Sequence, residues 1–146
     1  MTVFADSSAL VKLYADEVDH RLIRQIETLV ISQLARVEVP AALWRKHRMG
    51  EIAPAQAQTL CADFEADYFG ADAAPPRFAA VLASQAVLDR SARLCAVHGL
   101  RAYDAVQLGC ALSARDAEPS CSTFATFDGD LADAAVAEGF TLLGVS

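Results

Sequence analysis

Thr2-Val3-Phe4-Ala5-Asp6-Ser7-Ser8-Ala9-Leu10-Val11-Lys12-Leu13-Tyr14 is the stretch on which the reading of the chain turns. Thr2 to Ala5 is a short apolar run of strand type, and Ser7 or Ser8 can cap a helix that continues through Tyr14. A strand that hands over directly to a helix opens a βα unit. Asp6 stands at the junction, and in open parallel sheets ligands are bound outside the carboxyl ends of the strands. The same position suits an aspartate that merely accepts backbone N–H bonds as a helix cap. Asp6 alone does not separate the two roles.

Outward from this junction, short apolar runs alternate with longer segments of helical period, the signature of an α/β domain with a largely parallel sheet. Helical spacing predicts a helix over Val18 to Glu27, followed by a strand over Thr28 to Ile31. Ser32 can cap a helix through Arg48, although Pro40 removes an amide from its middle and should kink or split it. Pro54 opens a helix through Tyr68, and Gly70 to Pro76 reads as a loop. Arg77 to Leu82 is a candidate third strand. Ser84 to Val97 is helical with Gly99 as its stop, and Tyr103 to Ala114 forms a second helix beside it. Ser122 to Phe127 reads as a buried strand, Gly129 to Ala137 as a helix and Phe140 to Val145 as a last strand. The expected fold is three-layer α/β/α with a mostly parallel central sheet of four to five strands, formed by residues 1–146 as a single domain.

Composition agrees with one packed core. The chain has 146 residues, 54% of them hydrophobic, and a domain of this size buries roughly 70% of the surface its unfolded form exposes. No apolar stretch approaches the ~20 residues that cross a bilayer. The N-terminal run lacks a basic flank and a continuous apolar region, so no secretory signal is read and the expected location is the cytoplasm. Cys61, Cys95, Cys110 and Cys121 are scattered without zinc-ligand spacing and are expected to be buried thiols. The net charge of −7 is opposite to that of a protein that grips nucleic acid by phosphate neutralisation alone.

Four acids invite a chemical reading. Asp6 and Asp128 each follow an apolar run and precede a helix. Glu38 lies in a largely apolar stretch between Val37 and Val39, with Arg36 or Arg45 as ordinary ion-pair candidates; a buried carboxylate there needs a partner. Asp104 sits in a first helical turn, where capping alone could explain it. Asp130 is close enough to share the role of Asp128. If the two strand ends are neighbours, the four acids can converge. Carboxylates gathered without compensating Lys or Arg repel one another and normally hold hard cations such as Mg²⁺ or Mn²⁺. Such cations can deprotonate a water and stabilise charge on a phosphate, and they reverse the local sign of an acidic site.

The run Val3 to Lys12 resembles the opening motif of PIN-domain toxins of the VapC type. Val37-Glu38-Val39, Arg101-Ala102-Tyr103-Asp104-Ala105-Val106-Gln107-Leu108 and Thr126-Phe127-Asp128, with Leu131 after it, resemble that family in the same order. The resemblance implies a PIN fold and an endoribonuclease with metal ligation by Asp6, Glu38, Asp104 and Asp128. It further implies support of those acids by the hydroxyls of Ser8 and Thr126, an RNA substrate, a homodimer, and inhibition by a small cognate antitoxin. Trp44-Arg45-Lys46-His47-Arg48 is the densest basic patch. Arg45, Lys46 and Arg48 are candidate RNA contacts, although cations also simply favour helix C-termini. His20, His47 and His98 show no ligand spacing. Two rivals differ in their requirements: an Asp-based phosphatase should carry a second Asp near Asp6, where Ser7 and Ser8 stand instead, and a receiver domain should carry a lysine near its last strand. A catalytically silent interaction module with the same fold is the other alternative.

Overall fold

The computed structural model describes residues 1–16 and 20–144. Among them five strands form one parallel sheet in the order β3-β2-β1-β4-β5. Along the chain the elements are β1 (Thr2–Ala5), α1 (Ser7–Tyr14), α2 (His20–Arg24), β2 (Thr28–Ser32), α3 (Ala35–Arg48), α4 (Pro54–Phe69), β3 (Phe78–Val81), α5 (Gln85–His98), α6 (Ala102–Ala117), β4 (Thr123–Ala125), α7 (Gly129–Ala137) and β5 (Thr141–Leu142).

Strand alternation divides the core into two layers. Val3 and Ala5 of β1, with Leu29 and Ile31 of β2, face Leu10, Ile23, Leu43 and Phe64 from the helices α1 to α4. Phe4, Val30 and Phe124 face the opposite way, toward Leu94, Leu108 and Leu131 of α5, α6 and α7. A parallel sheet covered on both sides needs apolar residues at successive strand positions, which is why the strands read as short continuous runs. Phe4 pairs with Phe124 across β1 and β4, and their rings stand 5.2 Å apart. The chain builds outward from β1 through β2 to β3, then crosses back to lay β4 on the other side of β1. The strand order therefore reverses between β1 and β4, and the crevice at their carboxyl ends is where such sheets bind ligands.

Several boundaries differ from the sequence expectation for identifiable reasons. Asp6, not Ser7 or Ser8, caps α1, its carboxylate accepting from the Ala9 N–H. Ser32 ends β2 instead of capping α3; its hydroxyl accepts from the Leu34 N–H, and the helix begins at Ala35. Pro40 does not split α3, which runs unbroken to Arg48. The helix expected from Val18 is described only from His20 to Arg24, its start lying outside the described residues, and Gln25 to Glu27 are not helical. β4 stops at Ala125 because Thr126 and Phe127 turn their polar groups to Asp6 and to Ser8 of α1. β5 is limited to Thr141–Leu142, and the expected end at Val145 lies outside the described residues. The four cysteines are free; Cys110 and Cys121 are buried, whereas Cys61 and Cys95 are only partly so. No helix among the described residues is long and apolar enough to cross a membrane.

Candidate active site

The acids lie at the N-terminal ends of four helices. Asp6 caps α1 and Asp128 caps α7, while Glu38 and Asp104 occupy the first turns of α3 and α6. Each helix end carries partial positive charge that favours a carboxylate. The arrangement gathers negative charge where backbone dipoles offset part of its cost.

Asp6 is the most enclosed of the four, 4% exposed. Its Oδ1 accepts from Ser8 Oγ at 2.7 Å and from Ala9 N at 3.0 Å, and its Oδ2 accepts from Thr126 Oγ1 at 2.5 Å. Ser8 Oγ also accepts from Phe127 N, and Thr126 Oγ1 from Asp128 N. The two hydroxyls thus tie the end of β1 to the loop after β4. Burial pushes the Asp6 carboxyl up to about 6, against the lowering effect of these hydrogen bonds and with a further push from Asp104.

Glu38 pairs with neither Arg36 nor Arg45. Arg36 engages Glu65 on α4, and Glu38 Oε1 instead accepts from Gln107 Nε2 at 2.8 Å. That same Nε2 donates to Ser7 Oγ at 3.1 Å, so Gln107 joins α6 to both α1 and α3. Gln107 is 2% exposed, and its Oε1 is buried with no partner among the described residues. Burial raises the Glu38 carboxyl, Gln107 and Ser7 lower it, and Asp104 adds a further rise.

Asp104 accepts no hydrogen bond from any described residue. Burial raises its carboxyl, then the charge of Asp128; Arg101 pulls it down and Asp130 adds a smaller rise. Asp104 is therefore electrostatically coupled to Asp6, Glu38, Asp128 and Asp130 together. Asp128 weighs more on it than Asp130, while Asp128 Oδ1 is engaged by Leu131 N at 2.9 Å. As the side chains stand, no three His, Cys, Asp or Glu residues among those described close into a ligating group. The donors nonetheless suit a hard cation: all are carboxylate oxygens, Asp104 accepts no hydrogen bond from a described residue, and in setting its acidity the repulsion of Asp128 outweighs the attraction of Arg101.

Of the basic patch, Arg45, Lys46 and Arg48 line a groove of about 660 Å³ together with Glu38 and Tyr103. Lys46 also reaches Glu51 at 3.4 Å. His47 Nδ1 meets Ile52 O, and His98 Nε2 meets Glu138, so both rings are engaged away from the four acids. Gln107 and Tyr103 belong to the site although sequence reasoning does not single them out. The signal for Gln107 is a lone polar side chain among Val106, Leu108, Cys110 and Ala111, all buried.

A parallel α/β domain with a carboxylate cluster at the switch point of its sheet is the class these observations define. The chain belongs to the PIN domain family, whose model matches residues 3–137. Among solved structures it resembles a chain of a toxin–antitoxin complex from Klebsiella pneumoniae, with 20% identity, a TM-score of 0.59 and coverage of 89% of this chain and 90% of that one. It also resembles VapC20 of Mycobacterium tuberculosis, a toxin that cleaves the sarcin-ricin loop, at 15% identity and a TM-score of 0.63 over 95% and 96% of the two chains. PAE2754 from Pyrobaculum aerophilum superposes with a TM-score of 0.61 at 23% identity over 97% and 92%. Identities of this size speak for the fold, and activity has to be argued from the site. No curated protein sequence matches the chain.

Proposed function

We propose that the chain is a metal-dependent endoribonuclease, the toxin of a toxin–antitoxin pair, acting on cytoplasmic RNA and restrained by a small cognate antitoxin. The observation that carries this reading is the placement of Asp6 and Asp128 just past the neighbouring strands β1 and β4, joined through the Thr126 hydroxyl. Glu38 and Asp104 stand beside them in the first turns of α3 and α6, with Asp104 close enough to add to the rise of the Glu38 carboxyl and Asp128 to that of Asp104. A divalent cation such as Mg²⁺ or Mn²⁺, held by Asp6, Glu38, Asp104 and Asp128, supplies an activated water and neutralises charge on the phosphate when bound. The remaining work falls to the chain's own side chains. Ser8 and Thr126 fix the rotamer of Asp6, and Gln107 fixes that of Glu38. Asp104 accepts no hydrogen bond from a described residue, so besides an oxygen for the cation it keeps one open to a proton leaving the attacking water. Arg45, Lys46 and Arg48 draw the phosphate backbone into the groove that they line together with Glu38. A homodimer, which the motif resemblance to PIN-domain toxins of the VapC type implies, is part of the same proposal.

The direct experiment is cleavage of RNA by the purified protein with Mg²⁺ or Mn²⁺, beside Asp6→Asn and Asp104→Asn. Each variant should lose at least a hundredfold in rate. Equal activity in all three would remove the roles assigned to the acids. A short neighbouring reading frame encoding a DNA-binding protein would support the toxin role.

A further inference from the structure

The groove beside the acids continues into a smaller apolar pocket of about 190 Å³ lined by Leu34, Val37, Glu38, Ala41 and Tyr103. Glu38, Ala41 and Tyr103 are common to both spaces. Tyr103 precedes Asp104 in the first turn of α6 and is 65% exposed. Its side chain has no hydrogen bond or ring contact with any described residue, and Val37 across the pocket is 70% exposed. Arg45 and Arg48 on the groove wall are exposed and form no ion pair with a described residue.

An open aromatic face, an apolar floor large enough for one ring, and two guanidinium groups in the same groove that pair with no described residue, while Glu51 there is engaged by Lys46, fit a particular partner. Single-stranded nucleic acid is held by a cationic track for the backbone and aromatic platforms for successive bases. Strands whose bases are unpaired can splay one base out, whereas paired bases cannot reach such a platform. In a chain of net charge −7, this cationic wall is complementary to a polyanion. A protein tail would need to satisfy or desolvate the same guanidinium groups.

We propose that the groove between α3 and α6 is a nucleotide subsite: one unpaired RNA base stacks on Tyr103 against Leu34, Val37 and Ala41, with the adjoining phosphates along Arg45 and Arg48. The proposal rests on the nuclease reading for the position of the acids, and it adds that the nucleotide flanking the cut is single-stranded and held by its base.

The test uses fluorescein-labelled single-stranded RNA in the Asp104→Asn background, where binding is read by anisotropy, and cleavage kinetics in the otherwise wild-type chain. Tyr103→Ala should raise Kd and KM roughly tenfold, the scale of one base–aromatic stack, with Tyr103→Phe rescuing both. Because the ring is exposed, its loss should leave the thermal midpoint unchanged. Replacing nucleotides one at a time by abasic sites should reveal one position where the base matters in the parent chain and ceases to matter once Tyr103 is alanine. A blunt duplex of the same sequence should be indifferent to Tyr103. Unchanged Kd and KM in Tyr103→Ala, or an abasic penalty that persists without the ring, overturns the subsite and leaves the pocket to protein contacts. Tyr103-dependent binding of RNA that the wild-type chain never cleaves would sink the nuclease reading while leaving the subsite in place.

Discussion

Asp6 is held by three hydrogen bonds that favour its charge and by burial that opposes it, and burial wins. With its carboxyl pushed up to about 6 against an unfolded value of about 4, the folded chain retains a proton that the unfolded chain has released between those limits. The stabilising contribution is complete below about pH 4 and is lost as pH rises through about 6. A rise of that size corresponds to about 3 kcal/mol. Asp6→Asn keeps the acceptor for Ala9 and Ser8 and removes the charge. In a chelating buffer it should therefore be more stable than wild type by about 1–3 kcal/mol at pH 8, with the gap closing near pH 4. Urea unfolding at the two pH values measures this, and an equal difference at both would show that burial does not set the acidity. Gln107 offers a second residue-scale test. Gln107→Leu removes an unpartnered buried carbonyl together with the donor to Ser7 and Glu38. Stability should change by about 1 kcal/mol or less, since the two effects oppose, while RNA cleavage should fall at least tenfold as Glu38 loses its fixed rotamer. Cleavage within twofold of wild type would reduce Gln107 to a packing residue. Asp6 is legible in the sequence because its place after a strand is local; the partner of Glu38 is not, since Gln107 lies on α6 and only tertiary packing delivers it.

Between elements, α5 and α6 approach so closely that a Cβ built on Gly109 would collide with Ser91 Oγ. Ser91 is buried, its hydroxyl turned back to the Val87 carbonyl at 2.7 Å. The glycine therefore serves close approach of the two helices rather than an unusual backbone angle. Gly109→Ala should gain helix propensity of up to about 1 kcal/mol yet lose about 1–3 kcal/mol to overpacking, for a net fall in the unfolding free energy. Adding Ser91→Ala should recover most of that loss, a coupling that a double-mutant cycle in urea reads directly; additive effects would place the strain elsewhere. The pairing of these helices is visible from Ser84, Gly99 and their apolar spacing, because caps and stops act within a few residues. Strand ends are less so. The apolar pattern carries β4 on to Phe127, but Thr126 and Phe127 exchange hydrogen bonds with Asp6 and Ser8, residues more than a hundred positions away, and no local pattern records that competition. Pro40 illustrates the converse. Its ring removes one intrahelical bond, and packing of Val39 and Leu43 in the core layer keeps α3 continuous.

For the molecule as a whole, the decisive step is the juxtaposition of β1 and β4, which sequence can only frame as a condition: the acids converge if the two strands are neighbours. The sheet order meets it. A chain of net charge −7 thereby concentrates carboxylates at one crevice, where burial and mutual repulsion raise Asp6, Glu38 and Asp104 together. Native structure alone assembles them, so on the proposed reading a cation that neutralises the cluster should bind the folded state and scarcely the unfolded one. Mass action then adds roughly 2.7 kcal/mol at a hundred times Kd, or roughly 5–10 °C in a domain of this size. Mn²⁺ or Mg²⁺ should raise the thermal midpoint by that amount at pH 8, and by much less at pH 5, where protons already occupy Asp6. Potassium chloride at matched ionic strength should not reproduce the shift, since it screens the cluster without coordinating it. Asp104→Asn should diminish the shift by removing the carboxylate coupled to all the others, and should itself raise the metal-free midpoint by relieving repulsion. Differential scanning calorimetry across these conditions separates the explanations: a rise of equal size with potassium, or a divalent effect that survives Asp104→Asn undiminished, would mean that the acids share a surface field but no common ion.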